Sequence, residues 1–170
     1  MQDISLMRLF QYIVPLTLLF SDLIADPPDW QDDPGYYAHT SYLVAGIVQS
    51  NENDDTAPYD DFINIAAEGD MFAAFDSDGK VCGLATQLSP PFGPYEGQIV
   101  YEMTIRSNNV GEIISFKYYD SSKNRILSIN ASYEFVINEQ IGDLFDAELY
   151  NIVFPHDFQF NQSTVQAFYF

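Results

Sequence analysis

Short runs in which apolar and polar residues alternate constrain this chain more than any other feature. Ile99–Arg106 is the clearest run, because positions 102, 104 and 106 are polar and positions 101, 103 and 105 are apolar. A similar period recurs in 113–119 and 125–136. A period of two places the apolar side chains on one face of a half-buried strand. Helical spacing is scarce, and only 61–68 and 138–144 suggest a short helical turn. The pattern therefore predicts an all-β domain.

Turn residues separate these runs at short intervals. Asp76–Gly79 lies between the apolar runs 71–75 and 80–88 and predicts a hairpin, because glycine tolerates positive φ. Polar turns follow at 107–111 and 120–124. A chain of 170 residues is long enough for one core. We therefore predict one antiparallel, immunoglobulin-like β-sandwich of about 7–9 strands over residues 36–155.

The alternation also predicts which side chains face the core. Ile114, Phe116 and Tyr118 share one face of their run, and Ile129 lies on the inward face of the next run, opposite Asn130. Cys82 is the only cysteine, which excludes an intrachain disulfide. Its apolar neighbours predict a buried, inert thiol.

Both ends of the chain differ from the domain between them. Residues 1–25 carry Arg8 before an apolar run of signal-peptide length, which predicts a signal peptide for secretion. An uncleaved signal anchor and a helix packed on the domain are the alternatives. Residues 26–35 form an acidic, proline-rich lead-in. Residues 156–170 regain alternation and predict a final strand, which pairs within the domain or adds to a neighbour's sheet edge. The sequons at Asn130 and Asn161 are candidate glycosylation sites and agree with an extracellular or cell-surface protein.

Acidic residues far outnumber basic ones. The chain has 25 Asp and Glu against 6 Lys and Arg, a formal net charge of -19. A nucleic-acid partner is excluded because binding to phosphates needs cationic side chains, and anionic membrane surfaces are disfavoured for the same reason. The charge suits solubility or the capture of cations.

The central part of the chain resembles a known family. The stretches AAFDSDGKVCGLA (73–85), PPFGPYEGQIVYEMTIRSN (90–108) and GEIISFKYYDSSKNRIL (111–127) resemble an uncharacterised family of extracellular β-sandwich repeats in large secreted and surface proteins of microbes and algae. The resemblance covers about a third of the chain, within 72–127, and implies a sandwich, export and a modular context. It implies no catalytic residues.

Acidic loops suggest a calcium site. Asp76 and Asp78 begin like a calcium-binding loop, but Gln87 stands where an EF-hand needs glutamate, so an EF-hand is rejected. Calcium is the only cofactor that the sequence suggests, held by these two residues with Asp54 and Asp55; a plain hairpin turn is the alternative.

Aromatic residues near prolines are candidates for ligand binding. Phe92 and Tyr95 lie in a loop with three prolines, and a preordered aromatic loop loses little entropy on binding a glycan or a protein. Trp30 in the lead-in is a third candidate. The alternative for the loop is a rigid crossover between strands. The alternative for Trp30 is a structural role, in which its side chain packs on a sheet edge as a staple.

Nothing in the sequence argues for catalysis. His39 and His156 are isolated, and no nucleophile elbow, phosphate loop or redox pair is present. We expect a non-enzymatic secreted protein of adhesion, a surface coat or a filament, which associates with itself or with other surface proteins. A carbohydrate- or calcium-binding module is the alternative, and an unrecognised hydrolase is a third.

Overall fold

The computed structural model describes residues 27–51 and 62–152. This part of the chain is all-β, as predicted, with ten strands and no helix, and so contains no helix that could cross a membrane. The strands are β1 (His39–Ser50), β2 (Ile63–Asn64), β3 (Met71–Phe75), β4 (Val81–Leu84), β5 (Thr86–Leu88), β6 (Val100–Ser107), β7 (Ile113–Asp120), β8 (Arg125–Glu134), β9 (Gln140–Ile141) and β10 (Glu148–Ile152).

The strands form two sheets, which we call the front sheet and the back sheet. The front sheet has the order β10-β1-β6-β5, and the short strands β2 and β9 also pair with β1. The back sheet has the order β4-β3-β7-β8 and is antiparallel throughout. In the front sheet β9 and β10 run parallel to β1, and the other pairs are antiparallel.

Aromatic side chains from both sheets meet in one core. Phe72 of the back sheet lies 5.5 Å from the ring of Tyr101 and 4.8 Å from that of Tyr150, both in the front sheet. The predicted inward faces are confirmed, since one buried cluster contains Met103, Ile105, Ile114, Phe116, Tyr118 and Ile129. Cys82 belongs to the same cluster and is fully buried.

The segment 80–88, expected as one strand, is two strands in different sheets. β4 pairs with β3 in the back sheet and β5 pairs with β6 in the front sheet. The chain crosses at Ala85, whose amide donates to the carbonyl of Phe72 at 2.9 Å. Gly83 permits the close approach, because a Cβ there would lie 2.9 Å from the carbonyl oxygen of Thr104. Periodicity alone carries no signal for such a change of sheet.

The segments 61–68 and 138–144, expected as helical turns, contain short strands instead. Residues 63–64 form β2 and residues 140–141 form β9, each a short addition to β1. The backbone donors and acceptors of these segments pair with β1, so a sheet edge replaces the helical turn. Residues 1–25, the tail 156–170, Asn161 and the pair Asp54 and Asp55 lie outside the described residues.

Candidate functional site

The loop predicted to bind calcium is a tightly bonded hairpin turn. The amides of Asp78 and Lys80 donate to one carboxylate oxygen of Asp76 at 3.1 and 2.8 Å. The hydroxyl of Tyr37 donates to the other oxygen at 2.8 Å. Asp78 is exposed beside it. One oxygen of Asp76 thus holds the turn and the other holds Tyr37. The described residues contain no group of three or more His, Cys, Asp or Glu side chains placed to hold a metal.

Trp30 packs on the back sheet, away from the other two predicted ligand residues. Its ring meets that of Phe75 edge-on, with centroids 5.4 Å apart, in a small cluster with Ala73 and Val81. Just after the lead-in, the ammonium of Lys80 lies 3.2 Å from the centroid of the Tyr36 ring. These contacts fit the staple that the sequence offered as the alternative for Trp30.

Phe92 and Tyr95 share a loop but have different surroundings. Tyr95 is half-buried and packs on the outer side of the front sheet beside Val100 and Ala147. Its hydroxyl accepts a hydrogen bond from the amide of Ala147 at 2.9 Å, which ties loop 89–97 to loop 142–147. The side chain of Phe92, in contrast, is 67% exposed.

The two tied loops present an apolar surface, which we call the loop patch. It consists of Phe92, Leu144 and Phe145, exposed by 67%, 43% and 72%. The loops are in contact, because a Cβ built on Gly93 would lie 3.9 Å from the ring of Phe145. Exposed apolar side chains on two loops in contact are candidates for a contact surface.

A second apolar surface, the turn patch, lies beyond the other end of β6. It consists of Val110, Ile113, Val136 and Ile137, each at least 38% exposed. Backbone hydrogen bonds join its two segments, since the amide of Gly111 donates to the carbonyl of Phe135 at 2.8 Å. Loop 89–97 precedes β6 and the turn patch follows it, and an extended strand of its eight residues covers about 26 Å.

The outer face of the front sheet carries a groove of about 410 Å³, which we call the front groove. The floor of the groove consists of residues that lie opposite one another on paired strands. Thr104 of β6 lies opposite Tyr42 of β1, which lies opposite Gln140 of β9. In the next row, Glu102 lies opposite Thr86 of β5. The core takes the alternate side chains of β6, so these polar ones must face outward.

The lead-in closes one side of the front groove. Asp32 lines it and forms an ion pair with Arg106 through one carboxylate oxygen. The other oxygen, Oδ1, is buried and is the one buried side-chain polar atom in the described residues without a hydrogen-bond partner. A buried carboxylate oxygen without a donor is unfavourable.

Buried ionisable groups outside the groove have structural roles. Asp70 accepts from the amide of Ala67 at 2.9 Å, from the amide and hydroxyl of Ser121 at 2.8 Å each, and from the Tyr118 hydroxyl. Burial, with the negative charge of Asp76 nearby, raises the pKa of Cys82 to about 12. The thiol therefore stays protonated at neutral pH and is a poor nucleophile.

The alternation of β6 predicted the outward direction of Glu102, Thr104 and Arg106, but not the groove that they line. Gln140 was placed in an expected helical turn, and Asp32 in a lead-in with no assigned contact. Their approach to β6 depends on pairings between segments far apart in sequence.

Comparisons with family models, with curated proteins and with solved structures found no match to this chain. No family is therefore assigned, and the resemblance over 72–127 stays an expectation.

Proposed function

We propose that this chain is a non-enzymatic extracellular protein with an immunoglobulin-like β-sandwich that assembles head to tail, in a filament or surface coat. The loop patch of one copy would contact the turn patch of the next. One observation carries the proposal: two different exposed apolar surfaces lie at opposite ends of β6. Two unlike patches on one molecule give a heterologous contact, which repeats into a filament when it does not close into a ring.

The composition of the two patches supports this pairing. Both consist of apolar side chains that are exposed in the single chain, so burying them against each other removes apolar surface from water. The chain carries a formal charge of -19, which opposes association at low salt. We therefore expect assembly to strengthen with salt, because screening weakens repulsion while the apolar contact persists.

Sedimentation velocity and negative-stain microscopy of the secreted chain test the proposal. The wild type forms extended oligomers at high protein concentration in 0.5 M salt, whereas Phe145→Ser and Val110→Ser each stay monomeric. Ile126→Ser is the matched control: this side chain is 52% exposed on β8, outside both patches, and its variant still assembles.

Mixing the two variants tests whether the contact joins the loop patch of one copy to the turn patch of another. Phe145→Ser keeps an intact turn patch and Val110→Ser an intact loop patch, so an equimolar mixture yields dimers that neither variant forms alone. A wild type that stays monomeric at every salt and protein concentration contradicts the proposal. Assembly that persists in both variants also contradicts the proposal.

A further inference from the structure

The front groove has unused hydrogen-bonding capacity. Within the part of the chain that the structure describes, the side chains of Thr86, Glu102, Thr104 and Gln140 make no hydrogen bond or ion pair. All four line the groove, as does Asp32, whose Oδ1 is buried. These groups converge from β5, β6, β9 and the lead-in on a volume of about 410 Å³, within the roughly 300–1,000 Å³ typical of small-ligand sites.

The charges in the groove select against most ionic ligands. Its lining has two carboxylates, Asp32 and Glu102, and one guanidinium, Arg106, so it is net negative. An anion is repelled by this lining and by the acidic chain as a whole. An ammonium group can only donate, which leaves the amide donor of Gln140 without an acceptor.

A neutral hydroxyl group satisfies both kinds of partner. It donates to the carboxylate of Glu102 and accepts from Gln140 and the threonine hydroxyls. Tyr42, 40% exposed in the middle of the groove floor, adds an aromatic surface against which the C–H face of a sugar ring can pack. We infer that the front groove is a binding site for a neutral oligosaccharide. This inference is independent of the proposed assembly, which uses other surfaces.

Oligosaccharide binding by the secreted chain tests the inference. The chain is screened on an array of neutral, amino and acidic oligosaccharides, and the strongest neutral probe is titrated by calorimetry and by NMR. We expect amide shifts concentrated at 42–44, 84–86, 102–106 and 140. Tyr42→Ala and Gln140→Ala weaken binding about tenfold each, as the loss of one good contact does.

Two gentler variants and two controls make the test decisive. Thr86→Ala and Glu102→Gln change exposed side chains and keep the outcome readable if Tyr42→Ala fails to fold. Ser128→Ala, on the outer face of the back sheet, and Phe92→Ala, in the loop patch, leave binding unchanged. The inference is overturned if no neutral oligosaccharide binds, if the groove variants bind like the wild type, if Phe92→Ala abolishes binding, or if amino sugars bind more tightly than neutral ones.

Discussion

At the scale of single residues, two glycines with similar backbone angles have very different surroundings. Gly142 has φ +65°, and a Cβ there would lie 2.4 Å from the carbonyl oxygen of Ala45 and 2.8 Å from the amide nitrogen of Glu148. Gly97 has φ +74°, with no atom within 4 Å of its built Cβ. Gly142 therefore needs both a left-handed backbone and the absence of a side chain, whereas Gly97 needs only the first.

Alanine at each of these glycines separates the two costs. Gly97→Ala should lower the free energy of unfolding by about 1 kcal/mol, the cost of a left-handed alanine. Gly142→Ala should lower it by about 3 kcal/mol or more, since backbone atoms of β1 and β10 must also move. Urea denaturation followed by fluorescence measures both, and equal losses would show that the close approach at Gly142 is not needed.

At the scale of elements, one hydrogen bond connects the two loops of the loop patch. The Tyr95 hydroxyl accepts from the amide of Ala147, which is buried just before β10. Because few other described hydrogen bonds fix loop 89–97, this contact holds it against loop 142–147.

Tyr95→Phe tests that role. It leaves the Ala147 amide without an acceptor, and we expect a loss of about 1–2 kcal/mol in stability and faster hydrogen exchange at Ala147. Tyr119→Phe is the control, since it also removes a bonded hydroxyl, the partner of Asn124 at 2.9 Å, but in the back sheet. Unchanged exchange at Ala147 in Tyr95→Phe would mean that the loops are held by packing alone.

At the scale of the whole molecule, buried tyrosines link folding to alkaline pH. Burial, reinforced by the neighbouring Tyr101 and Asp70, raises the pKa of Tyr118 above its ordinary value of 10.0, and burial next to Glu148 does the same for Tyr150. A group whose pKa is higher in the folded than in the unfolded protein stabilises the fold. Its full contribution is present at pH values below the pKa of the unfolded state. That contribution is lost as pH rises above about 10.

We therefore expect the guanidinium midpoint to fall steadily between pH 10 and 12. Tyr118 alone contributes a slope of about 1.4 kcal/mol per pH unit in that range, so Tyr118→Phe should show a shallower decline. Ile114→Val, which loses about 1 kcal/mol of packing but no titratable group, is the control and should keep the wild-type slope. A midpoint that does not change with pH would contradict buried, protonated tyrosines in the folded state.

The sequence by itself determined the longer strands and their inward faces, but not the short strands β2, β5 and β9. Alternation is local, so it placed Phe116 and Ile129 in the core, Asn130 in solvent, and Asp76–Gly79 in a hairpin. Turn chemistry and side-chain direction depend on neighbours within a few residues, and a single chain contains that information.

Only the tertiary structure decided which surfaces meet. The change of sheet at Ala85, the joining of loops 89–97 and 142–147, and the front groove all depend on contacts between residues far apart in the chain. Asp32 and Gln140 reach β6 through an ion pair and through pairing with β1, which no local period encodes. A local pattern gives the direction of a side chain, but a site needs the relative positions of several segments, and packing of the whole chain sets those positions.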